Sequence, residues 1–277
     1  MITNKFDQYI KTIKINKFKT EKFIMETNNE PINIFDFDGT LTTETWPKFW
    51  VWAKKFGYSG EKRNDTLEKA LNEYRKIHHG EIIETFFGFF NDLLVENNQT
   101  LTYEELMEGE KFIKYNPGAK DFIENSTEKN YIVSGGLKEF LQNLKIAHNF
   151  DGIYGTQVVH NEKGLISGIG EIMTDDKKII AIKDILKGNN RGEEDCRNVY
   201  YIGDGYSDLI AMKFVHNNGG KAVFVHQQNQ KDELHQQNQE IFQKLNNDGI
   251  IDFCCIADYR KGSKFYNVLQ RQKIKAI

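Results

Sequence analysis

The sequence has few cysteines, and their pattern excludes two kinds of site. Its 277 residues include only Cys196, Cys254 and Cys255. Because the number is odd and two of them are adjacent, we expect no disulfide framework, and no CxxC spacing indicates zinc. This cysteine usage is typical of a reducing compartment, so we predict a cytoplasmic protein.

The sequence also lacks a strong net charge and a long apolar run. A formal net charge of −3 provides no basic excess that would favour nucleic acid or an anionic membrane surface. No apolar run is long enough to span a bilayer, and the lysine-rich start has no apolar core of the signal-peptide kind. We therefore predict neither nucleic acid nor membrane as partner, interpret residues 1–30 as a leader of uncertain order, and leave the oligomeric state open.

Short apolar strands alternate with helical segments over most of the chain. The predicted strands cover residues 32–37, 131–133, 199–202 and 222–225. The predicted helices cover residues 119–126, 138–147, 177–186 and 208–215. Residues 153–172 alternate in polarity, with a hairpin turn at 162–164. This order favours an α/β fold with a Rossmann-like, doubly wound parallel sheet.

Residues 43–112 follow a different pattern from the rest of the chain. Apolar side chains recur there at helical spacing, as in Trp46, Phe49, Trp50 and Ala53, and no strand pattern interrupts them. We predict a mainly helical insert at 43–112, with the core domain formed by residues 31–42 and 113–277.

Polar residues follow three of the predicted strands at their carboxyl ends. Asp36 and Asp38 end the first strand, Ser134 and Gly135 follow the second, and Asp204 follows the strand at 199–202. Because binding sites of open α/β sheets lie beyond this edge, we expect these residues to converge.

The paired aspartates indicate a metal-assisted reaction. Carboxylates held together repel one another unless a cation lies between them, and Mg²⁺ prefers carboxylate, phosphate and water oxygens. Asp36 can then act as metal ligand and nucleophile, and Asp38 as general acid and base, while Asp204 completes the acidic set. Ser134 and backbone N–H groups of the glycine-rich turns can hold phosphate oxygens.

Three segments together resemble the motifs of the haloacid dehalogenase-like superfamily. They are DFDGTLT at 36–42, SGG at 134–136 and GDGYSD at 203–208. Their order and spacing match the superfamily over roughly residues 31–225. The helical insert between the first and second motifs resembles a C1 cap, as in phosphoserine-phosphatase-like members.

The resemblance implies a magnesium-dependent phosphatase that acts on a small phosphorylated metabolite. Asp36 would form an aspartyl-phosphate, and Asp38 would protonate the leaving alcohol and then activate water. The metal would be held by Asp36, by Asp38 through its backbone carbonyl, and by Asp204, with Asp208 supporting the metal site or the lysine.

The resemblance also implies residues that bind the substrate. Thr40 would steady the first motif, and Ser134, Gly135 and a lysine would bind the phosphoryl oxygens. Lys177 and Lys178 both qualify, and we favour Lys178 as the catalytic lysine because it lies one turn before a buried apolar stripe.

Glu44 is a further candidate substrate contact. It stands one position before the place where phosphoserine phosphatases carry a glutamate that contacts the substrate amine, and no cap arginine for the substrate carboxylate can be assigned. Both departures argue against phosphoserine as the substrate.

Two other functions stay open at this point. One is phosphoryl transfer to an acceptor other than water. The other is a non-catalytic protein that binds a phosphorylated ligand, although the intact acidic set argues against it. The sequence does not identify the phosphomonoester, because fold and motifs do not determine the substrate.

Overall fold

The computed structural model of the chain describes residues 30–43, 52–58, 66–227, 242–244 and 246–270. Its strands, in chain order, are β1 Ile32–Phe35, β2 Lys129–Leu137, β3 Gly152–Thr156, β4 Val158–His160, β5 Ile166–Ile169, β6 Val199–Gly203, β7 Lys221–His226 and β8 Phe253–Ile256. Six of them form one sheet in the order β3-β2-β1-β6-β7-β8, and β4 and β5 form a separate pair. All neighbours in the six-stranded sheet are parallel, whereas β4 and β5 are antiparallel.

Helices follow or precede most of these strands. Those with described bounds are α1 Thr66–Ile77, α2 Ile82–Glu96, α3 Tyr103–Met107, α4 Ala119–Glu124, α5 Lys138–Gln142, α6 Asp175–Gly188, α7 Leu209–Asn217 and α8 Lys264–Leu269. Short 3₁₀ turns occur at Glu108–Phe112, Ala147–Asn149 and Tyr206–Asp208.

Both faces of the large sheet are covered. Buried residues of α6 and α7 share one apolar cluster with Ile32 and Ile34, whereas buried residues of α4, α5 and α8 share the other cluster with Phe35. Side chains of a strand alternate between the two faces of the sheet. Because both faces are covered, all four residues of β1 are buried. The predicted α/β fold with a doubly wound parallel sheet is therefore confirmed.

The strand order changes direction at the centre of the sheet. From β1 the chain proceeds to β2 and β3 on one side, and then to β6, β7 and β8 on the other. At such a point the connections leave the carboxyl ends of adjacent strands in opposite directions, and a crevice opens between them. The first and third motifs follow β1 and β6, the two strands that border this crevice.

Between β1 and β2 the described chain is helical. Helix α2 buries a run of aromatic residues, namely Phe86, Phe87, Phe89 and Phe90. Trp52 is also buried, and its Nε1 donates a hydrogen bond to the Leu106 carbonyl at 3.0 Å. The Asn91 side chain accepts the N–H of Ile169 at 2.9 Å, which joins α2 to the β4–β5 pair.

Some predicted elements differ from the structure. The helix predicted at 138–147 ends at Gln142. Of the alternating stretch at 153–172, β3 joins the parallel sheet, and only β4 and β5 form the hairpin whose turn contains Gly164 at φ +75°. The strand β8 and the helix α8 were not predicted. Residues 1–29, and most of the helix predicted around Trp46, lie outside the described residues.

No helix in the described parts of the chain is long and apolar enough to cross a membrane.

The α6 helix offers a direct test of this packing. Ile182 is fully buried and Ile180 is 58% exposed on the same helix. We expect Ile182→Ala to lower the free energy of unfolding by about 2–5 kcal/mol because it leaves a cavity, and Ile180→Ala to change it by less than about 0.5 kcal/mol. Urea unfolding measures both, and equal costs would contradict the position of α6 against the sheet.

Candidate active site

Asp36 extends the β1–β6 pairing by one residue. Its N–H donates to the Ile202 carbonyl at 2.8 Å, and Phe35 is paired with Ile202. Asp36 therefore lies beside the turn that follows β6 and carries Asp204. The two acidic motifs, far apart in sequence, meet because their strands are neighbours.

Phe37 anchors the turn that contains Asp36 and Asp38. Its side chain is fully buried, and its ring meets that of Tyr115 edge to face at 6.4 Å between centroids. Its carbonyl accepts the N–H groups of Leu41 at 2.9 Å and Thr42 at 3.2 Å. Burial of this one ring fixes the loop on which both aspartates stand.

Three carboxylates form a compact group in the crevice. One oxygen each of Asp36, Asp204 and Asp208 lies within 4.8 Å of the others. Such a donor set suits a hard divalent cation. The Asp38 carboxylate does not belong to this group among the described residues; it lies near Gly136, where an added Cβ would be 3.6 Å from Asp38 Oδ2.

Lys178 is the lysine that reaches the acidic group. It is 1% exposed, and its Nζ lies 2.7 Å from Asp208 Oδ1 and 3.4 Å from Asp36 Oδ1. Lys177 Nζ instead pairs with Glu171 at 3.1 Å. Adjacent residues of a helix point about 100° apart, so only one of the two lysines can face the crevice. This geometry does not support the prediction that Lys177 binds the substrate.

Asp208 accepts four hydrogen bonds while fully buried. Its Oδ1 accepts from Lys178 Nζ and from the Tyr201 hydroxyl, both at 2.7 Å. Its Oδ2 accepts from the N–H groups of Asp204 at 3.2 Å and Gly205 at 3.3 Å. The side chain thus connects the lysine of α6 to the turn that carries Asp204.

The crowding of charges shifts several pKa values. Burial raises the pKa of Asp36 to about 7, and the charges of Asp208 and Asp38 add to this effect, while Lys178 opposes it. Burial, together with the charges of Asp36 and Asp208, raises the pKa of Asp204 well above its usual range. Burial disfavours the Lys178 ammonium, but Asp208 and Asp36 outweigh it, so the pKa of Lys178 is raised. An added positive charge would therefore stabilise the ionised form of these carboxylates.

Side chains from distant segments hold the loop after Asp38. The Thr40 carbonyl accepts from Asn116 Nδ2 at 2.6 Å and from the Tyr259 hydroxyl at 3.1 Å. The Gly39 carbonyl accepts from Gln227 Nε2 at 2.8 Å. Sequence reasoning assigned no role to Asn116 or Gln227, because no local pattern shows that they meet this loop.

Thr40 also contacts the acidic group directly. Its hydroxyl lies 3.5 Å from Asp204 Oδ1, at the limit of a hydrogen bond, and the residue is fully buried. The role predicted for Thr40 in steadying the first motif is consistent with this contact.

The second motif, predicted to follow its strand, instead lies within β2, near the carboxyl end of that strand. Ser134 is 1% exposed, and its hydroxyl accepts the Gly136 N–H at 3.2 Å. An added Cβ on Gly135 would lie 3.0 Å from the Ile83 side chain of α2, so the insert contacts this part of β2. Glu44, the remaining candidate, lies outside the described residues.

Gly39 has no room for a side chain. Its φ is +79°, and an added Cβ would lie 2.0 Å from Asp204 Oδ2. Gly164 has a similar φ of +75° with nothing within 4 Å of the added Cβ. A side chain at either glycine would strain the backbone, but only a side chain at Gly39 would also collide with Asp204.

We expect both Gly39→Ala and Gly164→Ala to lose about 1 kcal/mol of stability through left-handed strain. Only Gly39→Ala should in addition displace Asp204 and weaken divalent-metal binding at least about tenfold, the scale of a disturbed ligand environment. Thermal unfolding and Mg²⁺ titration measure the two effects. Equal metal affinities in the two variants would contradict the close approach of Gly39 to Asp204.

The family comparison matches a large part of the chain. The family model for haloacid dehalogenase-like hydrolases matches residues 34–213, which include all three motifs and more than half of the chain. A comparison with curated proteins found no match.

Solved structures share the fold at low sequence identity. A HAD-family hydrolase from Salmonella enterica serovar Typhi has 22% identity and a TM-score of 0.52, covering 71% of this chain and 63% of that protein. A phospho-aspartyl intermediate analogue of phosphoserine phosphatase has 17% identity and a TM-score of 0.56, covering 88% of this chain and 99% of that protein. A probable phosphoserine phosphatase from Vibrio cholerae has 16% identity and a TM-score of 0.54, covering 72% and 57%. The chain thus spans less than two thirds of the Salmonella and Vibrio proteins.

Proposed function

Because the chain belongs to the haloacid dehalogenase-like hydrolase family, we propose that it is a magnesium-dependent phosphatase that hydrolyses a small phosphomonoester through an aspartyl-phosphate. The observation that carries the proposal is the buried Lys178, whose ammonium contacts both Asp36 and Asp208. A purely structural ion pair does not explain why a third carboxylate, Asp204, lies in the same group.

Asp36 is the nucleophile in this proposal. Lys178, at 3.4 Å, lowers the repulsion between its carboxylate and the anionic phosphoryl group. An Asp36 oxygen forms a bond to phosphorus as the bond from phosphorus to the ester oxygen breaks. Asp38 donates its proton to that ester oxygen, and the alcohol leaves.

In the hydrolysis of the aspartyl-phosphate, Asp38 acts as a general base. The Asp38 carboxylate takes a proton from water, and the water oxygen attacks phosphorus. The bond between phosphorus and Asp36 breaks, inorganic phosphate is released, and both aspartates return to their starting states.

The phosphoryl oxygens are bound by groups of three elements. Lys178 has two of its three N–H groups directed to Asp208 and Asp36, and the third is available to a phosphoryl oxygen. The Ser134 hydroxyl and the Gly135 N–H supply neutral donors. Donors fixed before the reaction stabilise the charge that develops on these oxygens.

The acidic group fits magnesium by its donor chemistry. Asp36 and Asp204 would hold the ion through carboxylate oxygens, and Asp38 through its backbone carbonyl. Asp208 already accepts four hydrogen bonds, so we assign it to the support of Lys178 and of the Asp204 turn rather than to direct metal contact. When bound, magnesium neutralises the carboxylates and polarises the phosphoryl group.

The position of the insert supports the proposal that the substrate is small. Ile83 of α2 contacts Gly135, so a helix of the insert borders the phosphoryl site. We propose that residues 43–112 act as a cap that limits substrate size and opens for exchange of substrate and product.

The three free cysteines support a reducing, cytoplasmic location.

Phosphate release from a panel of phosphorylated metabolites tests the proposed function. We expect release that requires Mg²⁺, stops with EDTA, and falls by at least about a thousandfold in Asp36→Asn, the scale of losing a nucleophile. Lys178→Ala should lower kcat/KM strongly, whereas the matched variant Lys177→Ala should remain close to wild type. Full activity of Asp36→Asn would overturn the proposal, and phosphoryl transfer to added alcohols without phosphate release would indicate a transferase.

Magnesium affinity should depend on pH. The pKa of Asp36 without metal is about 7, so below that pH the ion must displace a proton from its ligand. The pKa of Asp204, the other carboxylate ligand, is raised as well, so affinity should rise with pH from about pH 6, by about tenfold or more per pH unit. Calorimetry across this range measures the slope. Asp36→Asn should make the slope shallower, and a wild-type affinity independent of pH would contradict the raised pKa of Asp36.

A further inference from the structure

We propose that Tyr201 is a positioning residue of the reaction, acting on Lys178 through Asp208. The inference rests on the proposed function and adds to it a residue that none of the motifs contains. It is carried by a continuous chain of contacts: Tyr201 Oη to Asp208 Oδ1 at 2.7 Å, Asp208 Oδ1 to Lys178 Nζ at 2.7 Å, and Lys178 Nζ to Asp36 Oδ1 at 3.4 Å.

Tyr201 stands in the middle of β6, two residues before Gly203. Its side chain is fully buried in the apolar cluster that also contains Ile182 of α6 and Met212 of α7. A hydroxyl in such a cluster is costly unless it finds a partner, and packing alone would be satisfied by phenylalanine. Packing of the core therefore does not account for the hydroxyl. Its only hydrogen-bond acceptor among the described residues is Asp208.

The hydrogen bonds of Asp208 show what the hydroxyl adds. A carboxylate offers about two acceptor positions on each oxygen. On Oδ2 both are used by the N–H groups of Asp204 and Gly205. On Oδ1 one is used by Lys178 and the other by Tyr201. With all positions used, the carboxylate cannot rotate or tilt without breaking a bond, and the lysine is held at one place.

Loss of the hydroxyl would release this constraint on one side only. In Tyr201→Phe the ring still fills its space, but Oδ1 keeps Lys178 as its single donor. The carboxylate can then tilt about its two backbone bonds, and the ammonium follows it away from Asp36. Because the amides of Asp204 and Gly205 still hold Oδ2, the turn that carries Asp204 should keep its position.

The test compares Tyr201→Phe with Tyr131→Phe. Tyr131 lies on β2 in the same apolar cluster, three residues before Ser134, and its hydroxyl accepts a hydrogen bond at 2.9 Å from Asn189, which follows α6 and belongs to none of the motifs. Both variants lose one hydroxyl from a buried ring, so a general effect on stability should be similar. Orthovanadate, an inorganic mimic of phosphate, serves as the probe of the phosphoryl site.

We expect Tyr201→Phe to lower kcat/KM and to weaken vanadate binding, each by about tenfold, the effect of one lost hydrogen bond to a charged group. The Mg²⁺ concentration for half-maximal activation should not change. Tyr131→Phe should match the wild type in all three measurements. A Tyr201→Phe enzyme with wild-type kcat/KM and vanadate affinity, or with a raised Mg²⁺ requirement as its main defect, would overturn the proposal.

A double variant tests whether Tyr201 acts through the lysine. If it does, adding Tyr201→Phe to Lys178→Ala should weaken vanadate binding no further, whereas independent roles would multiply the two losses. Vanadate binding is measured by calorimetry in Mg²⁺ and does not require turnover. Wild-type protein that binds vanadate but hydrolyses nothing would refute the proposed function and still test Tyr201, and an active wild type with additive losses would refute the Tyr201 inference alone.

Discussion

The buried ammonium of Lys178, between Asp36 and Asp208, is the interaction on which the site depends. A charge so fully removed from water is tolerated only when opposite charges and hydrogen bonds surround it. Its partners come from the segments that follow β1 and β6, and the lysine itself comes from the first turn of α6. The parallel register of β1 with β6, and the packing of α6 on the sheet, must therefore both be correct before this charge can be buried.

The same crowding explains why glycines surround the acidic group. The space that a Cβ of Gly39 would fill is occupied by the Asp204 carboxylate, and that of Gly203 by the Asp208 carboxylate at 2.4 Å. Three acids and a lysine fit into one crevice because the backbone approaches them without side chains of its own. Burial first, and then their mutual repulsion, keep the pKa values of Asp36 and Asp204 high, and a bound divalent cation would stabilise the ionised carboxylates.

Support for this site comes from parts of the chain that carry no recognisable motif. Asn116 and Tyr259 both donate to the Thr40 carbonyl, and Gln227 donates to the Gly39 carbonyl. The C-terminal segment after β7 thus holds the loop after Asp38 through Tyr259 and also adds the edge strand β8. Ile83 of α2 contacts Gly135 on one side of the crevice, and these three side chains hold the Gly39–Thr40 backbone.

The sequence by itself determined the order of the three motifs, the parallel α/β class and the residue types at the carboxyl edge, because these follow from local periodicity and from what ends each strand. It could not choose between Lys177 and Lys178 with certainty, since both precede the same apolar stripe, and only the packing of α6 turned Lys178 inward. It could not separate β3 from the β4–β5 hairpin, because alternation does not reveal the pairing partner. Nor could it show that Tyr201 and Asn116 meet the motifs, because hydrogen bonds between distant segments exist only once the chain has folded.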